Sequence, residues 1–170
     1  MITLIIMALC ALLATVLACA WLSGRKRIEQ CPMFANIAEG THEGAITKKT
    51  EAAIATRFLL GTFGADVDHI AVAGAADIPI GVITDESAAA EDLVNVNLFG
   101  SSYCTQKGVA SAAIAIGEFI VPDDGGKVQT LTGLGAGTYY IVGRALTAAG
   151  ADGDVIEFDP IPAVQRVVAA

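Results

Sequence analysis

The sequence predicts a mainly β protein: a small β-sandwich or barrel-like domain with little helix, preceded by an apolar N-terminal, helix-like segment. Three observations predict it. Short β-branched runs recur, bounded by Gly, Pro, Asp and Asn at a spacing of roughly ten residues. The run LVNVNLF (residues 93–99) alternates, with Val94, Val96 and Leu98 on one face and Asn95 and Asn97 on the other. The stretch EFIVP-DDGGK-VQTL reads as strand, Asp-Gly turn, strand, which is a hairpin signal.

Taken in order, GAITKKT (residues 44–50) is a first strand, TRFLLGTFG (56–64) a compact apolar run, and DHIAVAG (68–74) a strand closed by Gly74. IPIGVIT (78–84) is β-branched, and Pro79 places it at a strand start or an edge. Residues 93–99, 118–122 and VQTL follow as strands. TYYIVGRALT (138–147) is the longest strand candidate, and after the ADGD turn VIEF (155–158) is the last. Pro160 and Pro162 should stop regular pairing there. Two stretches carry helical propensity. One is the short, acidic ESAAAEDL (86–93). The other is KGVASAAIAIG (107–117), whose alternating Ile114 and Ile116 favour a strand in its second half.

The chain divides by composition into an apolar segment (1–32), an N-terminal arm with the first strand (33–50), and a β-rich domain (51–170). Residues 2–22 hold 21 uncharged positions; as a helix they would span roughly 31 Å, one bilayer core. No Lys or Arg precedes the run, and Arg25, Lys26 and Arg27 follow it. If the span is real, this distribution keeps the rest of the chain on the cytoplasmic side. Cys19 after VLA has the outline of a lipoprotein processing site, without its basic leader. At Met33 the composition changes abruptly. Residues 1–32 read best as an upstream extension of the reading frame that the working protein lacks. The alternative is a membrane-anchored bacterial β-domain acting as a binding module.

Residues 33–170 carry 7 basic and 17 acidic side chains, a net charge of −10. Such a domain repels phosphate backbones, which argues against nucleic-acid binding. Of four cysteines only Cys104 lies beyond residue 32. That excludes a disulfide framework and a paired-cysteine zinc site, and it leaves a buried thiol as the expectation.

Candidates for chemistry are few. GLGAGT (133–138) has the glycines of a nucleotide loop, but it lacks the Lys-Ser/Thr ending and precedes a strand, so it reads as a hairpin loop. DVDH (66–69) gathers two carboxylates and an imidazole. On a strand Asp66 and Asp68 would share one face and His69 would take the other, and the simplest reading is a solvated acidic turn opening a strand. His42 has neither a nucleophile nor a pocket in its sequence neighbourhood. Asp85, Glu86, Glu91 and Asp92 bracket an alanine run; paired carboxylates can hydrolyse glycosides, but a wet loop is commoner. Arg144, between Val142 and Leu146, needs a carboxylate, a carbonyl or a neighbouring subunit. A structural ion pair and a subunit-interface contact fit equally. We read no catalytic, cofactor or metal site.

Several weak motifs in order make the chain resemble the capsid cement, or head decoration, proteins of tailed phages and prophages. They are GAITKKTEAAI, DIPIGVITDE, VNVNLFG and GTYYIVGRALTAAGADGDVIEF, and the resemblance extends over residues 34–162. The resemblance implies a β-rich structural protein, not an enzyme and without a cofactor, commonly a homotrimer. Its implied partner is the major capsid protein, bound where subunits meet on the outer capsid surface of the virion, after a stay in the host cytoplasm during assembly. Nucleic acid is no partner, and a membrane is one only if residues 1–32 are retained. The Gly-containing segment 34–44 lacks strong self-structure. We expect it to be a capsid-contact arm, carried by Phe34, Ala35, Asn36, Ile37, Thr41 and His42, that orders by adding a strand to a capsid edge.

Overall fold

A computed structural model describes residues 44–168. The apolar segment 1–32 and the proposed arm residues Phe34, Ala35, Asn36, Ile37, Thr41 and His42 lie outside the described residues. Ten strands run β1 (Ala45–Thr50), β2 (Leu59–Phe63), β3 (His69–Val72), β4 (Gly81–Ile83), β5 (Leu93–Leu98), β6 (Gln106–Val109), β7 (Phe119–Pro122), β8 (Val128–Thr130), β9 (Gly137–Ala145) and β10 (Val155–Val168). The only helical element among the described residues is a single 3-10 turn at Asp124–Gly126. The chain is mainly β and includes a barrel, as the sequence predicts.

The first five strands form a closed barrel in the order β1-β3-β2-β4-β5. Closure is a full antiparallel ladder between β1 and β5, from Ala45↔Asn97 to Lys49↔Leu93. The neighbouring β1–β3 pair is parallel. Alternation sets what fills the barrel. Ile46, Leu59, Ile70, Ile83, Val94 and Val96 pack in one buried cluster. Gly81 lets two strands close up, because a Cβ there would lie 2.1 Å from the carbonyl oxygen of Asn97.

The last five strands form a sheet in the order β6-β10-β9-β7-β8. It curls until its two edges meet at one parallel bridge, Ala110↔Val128, where the Ser111 amide donates to the Val128 carbonyl at 2.9 Å. Its core cluster includes Ile120, Val128, Val142, Ala145, Ile156 and Phe158. Phe158 is fully buried, and Gly108 and Gly143 make room for its ring. A Cβ on Gly143 would fall 2.5 Å from that ring. Burying each such side chain stabilises the fold by roughly 1.5–3 kcal/mol.

Alternation also joins the two halves. Leu60 and Val82 sit next to the barrel-lining Leu59 and Ile83 but point outward, and both belong to the core of the curled sheet. Phe99 meets Phe158 edge-on at 6.2 Å. Phe58 packs on both cores from a left-handed backbone conformation (φ 66°), with the Lys107 ammonium 5.3 Å from its ring centre. Gly126 (φ 72°) donates its amide to Ala73 at 2.7 Å, and a Cβ there would strike Val72. A polar ladder completes the seam. Asn97 donates to Gln106, at 3.1 Å, and Gln106, almost fully buried, donates to Ser102 at 2.7 Å.

Several local expectations fail. ESAAAEDL is a loop: Ser87 pairs with Ile54 in an isolated bridge and Glu91 adopts φ 68°, both incompatible with a helix. In residues 107–117 the strand is the first half, and Ile114 makes only a bridge to Ala149. β10 does not stop at Pro160; it continues past Pro162 with a register shift between Pro160 and Val164, an irregularity that accommodates the missing amide hydrogens. At 14 residues it exceeds the 9 of β9. GLGAGT is a loop but not a hairpin loop, because β7 lies between β8 and β9 in the sheet. Cys104 is exposed, not buried.

Candidate functional site

Two surface features stand out, one on each half. The first is a row across the convex side of the curled sheet. Phe119 on β7 is the register partner of Arg144 on β9, and Arg144 of Asp159 on β10. Register partners in antiparallel strands share a face, so the three side chains stand abreast. All three are exposed, Phe119 at 46%. Arg144 Nε donates to the Gly117 carbonyl at 2.7 Å, which lays the guanidinium over the turn bearing Ile116. Ile116 is 70% exposed, and Leu146, two residues beyond Arg144, is 43% exposed. The arginine has therefore found a carbonyl. Among the described residues the ion pairs do not include Arg144. An aromatic, two aliphatic side chains and an arginine grouped on one face have the composition of a protein-contact patch.

The second feature is a charged chain at one end of the barrel. His69 Nδ1 is 2.6 Å from Asp66 Oδ1 and its Nε2 is 2.8 Å from Glu91 Oε1. Lys49 Nζ donates to the other oxygen of Glu91 at 2.8 Å. Hydrogen bonds to Asp66 and then Glu91 hold the His69 pKa above the usual histidine value. The bond to His69 lowers Asp66, and bonds to Lys49 and then His69 lower Glu91. DVDH is thus an acidic turn opening a strand, as expected, but Asp66 and His69 meet because the turn is not extended. Glu91 reaches them from 22 residues further along the chain, a pairing that no local pattern carries.

The remaining carboxylates of the alanine-rich loop do not converge on a cleft. Asp85 accepts from the Asn95 amide, Asp92 from the Ala88 and Ala89 amides, and Glu86 lies 3.4 Å from Arg57. Asp85 and Asp92 tie down backbone amides, and Glu86 makes an exposed ion pair with Arg57. Among the described residues no group of three or more His, Cys, Asp or Glu is arranged to hold a metal ion, and no helix is long and apolar enough to cross a membrane. Sequence reading marked Arg144 but missed Phe119, Ile116 and Leu146. Alternation in EFIVP gives two faces without saying which one is covered.

The described residues form a ten-strand β module, a closed five-strand barrel beside a curled five-strand sheet. The phage cement protein family matches residues 41–159, and the chain belongs to it. Among solved structures, the chain is similar to the N-terminal base of the head fiber protein gp8.5 of bacteriophage phi29. The TM-score is 0.52 and the identity 20%, over 70% of this chain and 94% of that one. At that identity the likeness is one of fold. No curated protein matches the chain.

Proposed function

We propose that this chain is a structural, non-catalytic capsid cement protein. It binds the outer surface of the capsid at junctions between major capsid protein subunits and stabilises the shell against the pressure of the packaged genome. Membership of the cement family over residues 41–159 carries this reading, and the shared fold with a phage head fiber base supports it. In this reading the chain acts as a homotrimer. A trimer engaging three sites gains avidity of about 10²–10⁴-fold over one arm when geometry permits. The arm residues 34–42 precede β1 and order on the capsid. Arg144, with the apolar side chains around it, contacts a neighbouring subunit.

Cryo-electron microscopy of particles tests the reading directly: density for this chain above capsid junctions is expected, and particles devoid of it would overturn the proposal. The arm has its own test. A chain lacking residues 34–42 should keep its thermal unfolding transition and lose binding to purified capsids; undiminished binding would sink the arm. Salt-washed cell fractions separate the anchored alternative, since retention in membranes through residues 2–22 would favour it.

A further inference from the structure

Both ring nitrogens of His69 face carboxylates, Asp66 at 2.6 Å and Glu91 at 2.8 Å. A neutral imidazole has one N–H to donate and one lone pair, whereas an ionised carboxylate only accepts. With a neutral ring, one of these two contacts would set a lone pair against an anion. Only the imidazolium satisfies both.

The surrounding charges agree. The β2–β3 turn contributes Asp66 and Asp68, and the loop before β5 contributes Glu91. Glu51, just after β1, bonds the Ala65 amide and lies beside His69 across Gly64. Against these four carboxylates stand Lys49, the register partner of His69 on β1, and Lys48, whose ammonium is bonded to the Val67 carbonyl. Asp92 is turned away, onto the Ala88 and Ala89 amides. The His69 site is anionic, and a proton on the ring is held there.

The contact spans separate pieces of chain. Asp66 lies in the β2–β3 turn, His69 opens β3, and Glu91 belongs to the loop 84–92, whose middle is paired through Ser87 with Ile54 and whose Glu91 end docks through Thr50. The Glu91 amide donates to the Thr50 carbonyl at 2.8 Å, and Thr50 Oγ1 donates to Ala89 at 3.0 Å. Glu91 is held in the left-handed region, at φ 68°, where a glutamate does not settle unaided. We propose that protonated His69 is a clip fastening the Glu91 end of the loop 84–92 to the end of the barrel, and that loss of its proton loosens that end. A neutral ring keeps a donor for only one of the two carboxylates; where that one is Asp66, the Glu91 side chain is left with the exposed pair to Lys49, a weak tie.

The sign follows from a folded-state histidine raised above its unfolded value. The clip contributes fully below about pH 6.5, the unfolded histidine value, and is lost as pH rises through the higher folded value. This device stands apart from the cement reading and is testable on the isolated chain.

The experiment titrates the His69 ring by NMR in the full chain carrying His42→Gln, so that one histidine signal remains. It also measures hydrogen-exchange protection of residues 87–92 across the same pH range, relative to β5. We expect a midpoint above 6.5 and a several-fold fall in relative loop protection through it. Glu91→Gln should lower the midpoint by about half to one pH unit. Should that variant fail to fold, Asp66→Asn carries the same expectation. A midpoint at or below 6.5, a midpoint unmoved by the folded variant, or loop protection flat across the titration would overturn the clip.

Discussion

The barrel and the curled sheet each use five strands, yet they close in opposite ways. The barrel is sealed by a five-pair ladder between β1 and β5. The curled sheet meets itself at one bridge, Ala110↔Val128. The barrel lines its interior with aliphatic side chains and braces one end with charge. The curled sheet fills its concavity around one phenylalanine and leaves apolar side chains on its convex face. The lesson is that the barrel is closed by backbone pairing, whereas the curled sheet is closed around a core that both halves share.

That contrast can be broken at its strongest point. Phe158→Ala should cost about 3–5 kcal/mol, measured by urea unfolding, because the ring touches both the sheet core and Phe99. Loss of under 1 kcal/mol would mean that the sheet does not rest on this ring. Gly81→Ala probes the ladder side, since its Cβ would collide with the Asn97 carbonyl across β4 and β5. A cost of about 1–3 kcal/mol is expected, with the main loss of amide protection in the barrel and not in β9. The smallest stability effect belongs to the convex row. Phe119→Ser should stay within about 0.5 kcal/mol of the parent while weakening association, read by sedimentation for self-assembly and by capsid pull-down. Full retention of both would remove the row from the contact surface.

Much of the fold was legible because period-2 patterning and Asp-Gly turns are local signals. The strand LVNVNLF and the β7–β8 hairpin are examples. What was not legible was set by partners distant in sequence. Ser87 pairs with Ile54 and overrides the helical propensity of the alanines around it. β10 persists through two prolines because β9 supplies a long partner and the register shift absorbs the lost donors. Asn95 and Asn97 were assigned correctly to the face opposite the valines. That face, however, is partly covered, and Asn97 serves the seam to Gln106. At the charged site, DVDH was visible and Glu91 was seen only as loop solvation. The contact patch was legible at Arg144 alone, since which side of EFIVP is covered depends on how the sheet curls.

The single bridge at Ala110↔Val128 has a mechanical meaning. A sheet with continuous ladders transmits a sideways pull along many parallel bonds, but here one backbone bridge joins the rims, flanked by the Lys127–Asp152 ion pair. A load that spreads the two rims meets its least resistance at that bridge, before any ladder in β7, β9 or β10 is sheared. Opening of the curled half would therefore begin at Ala110 and Val128.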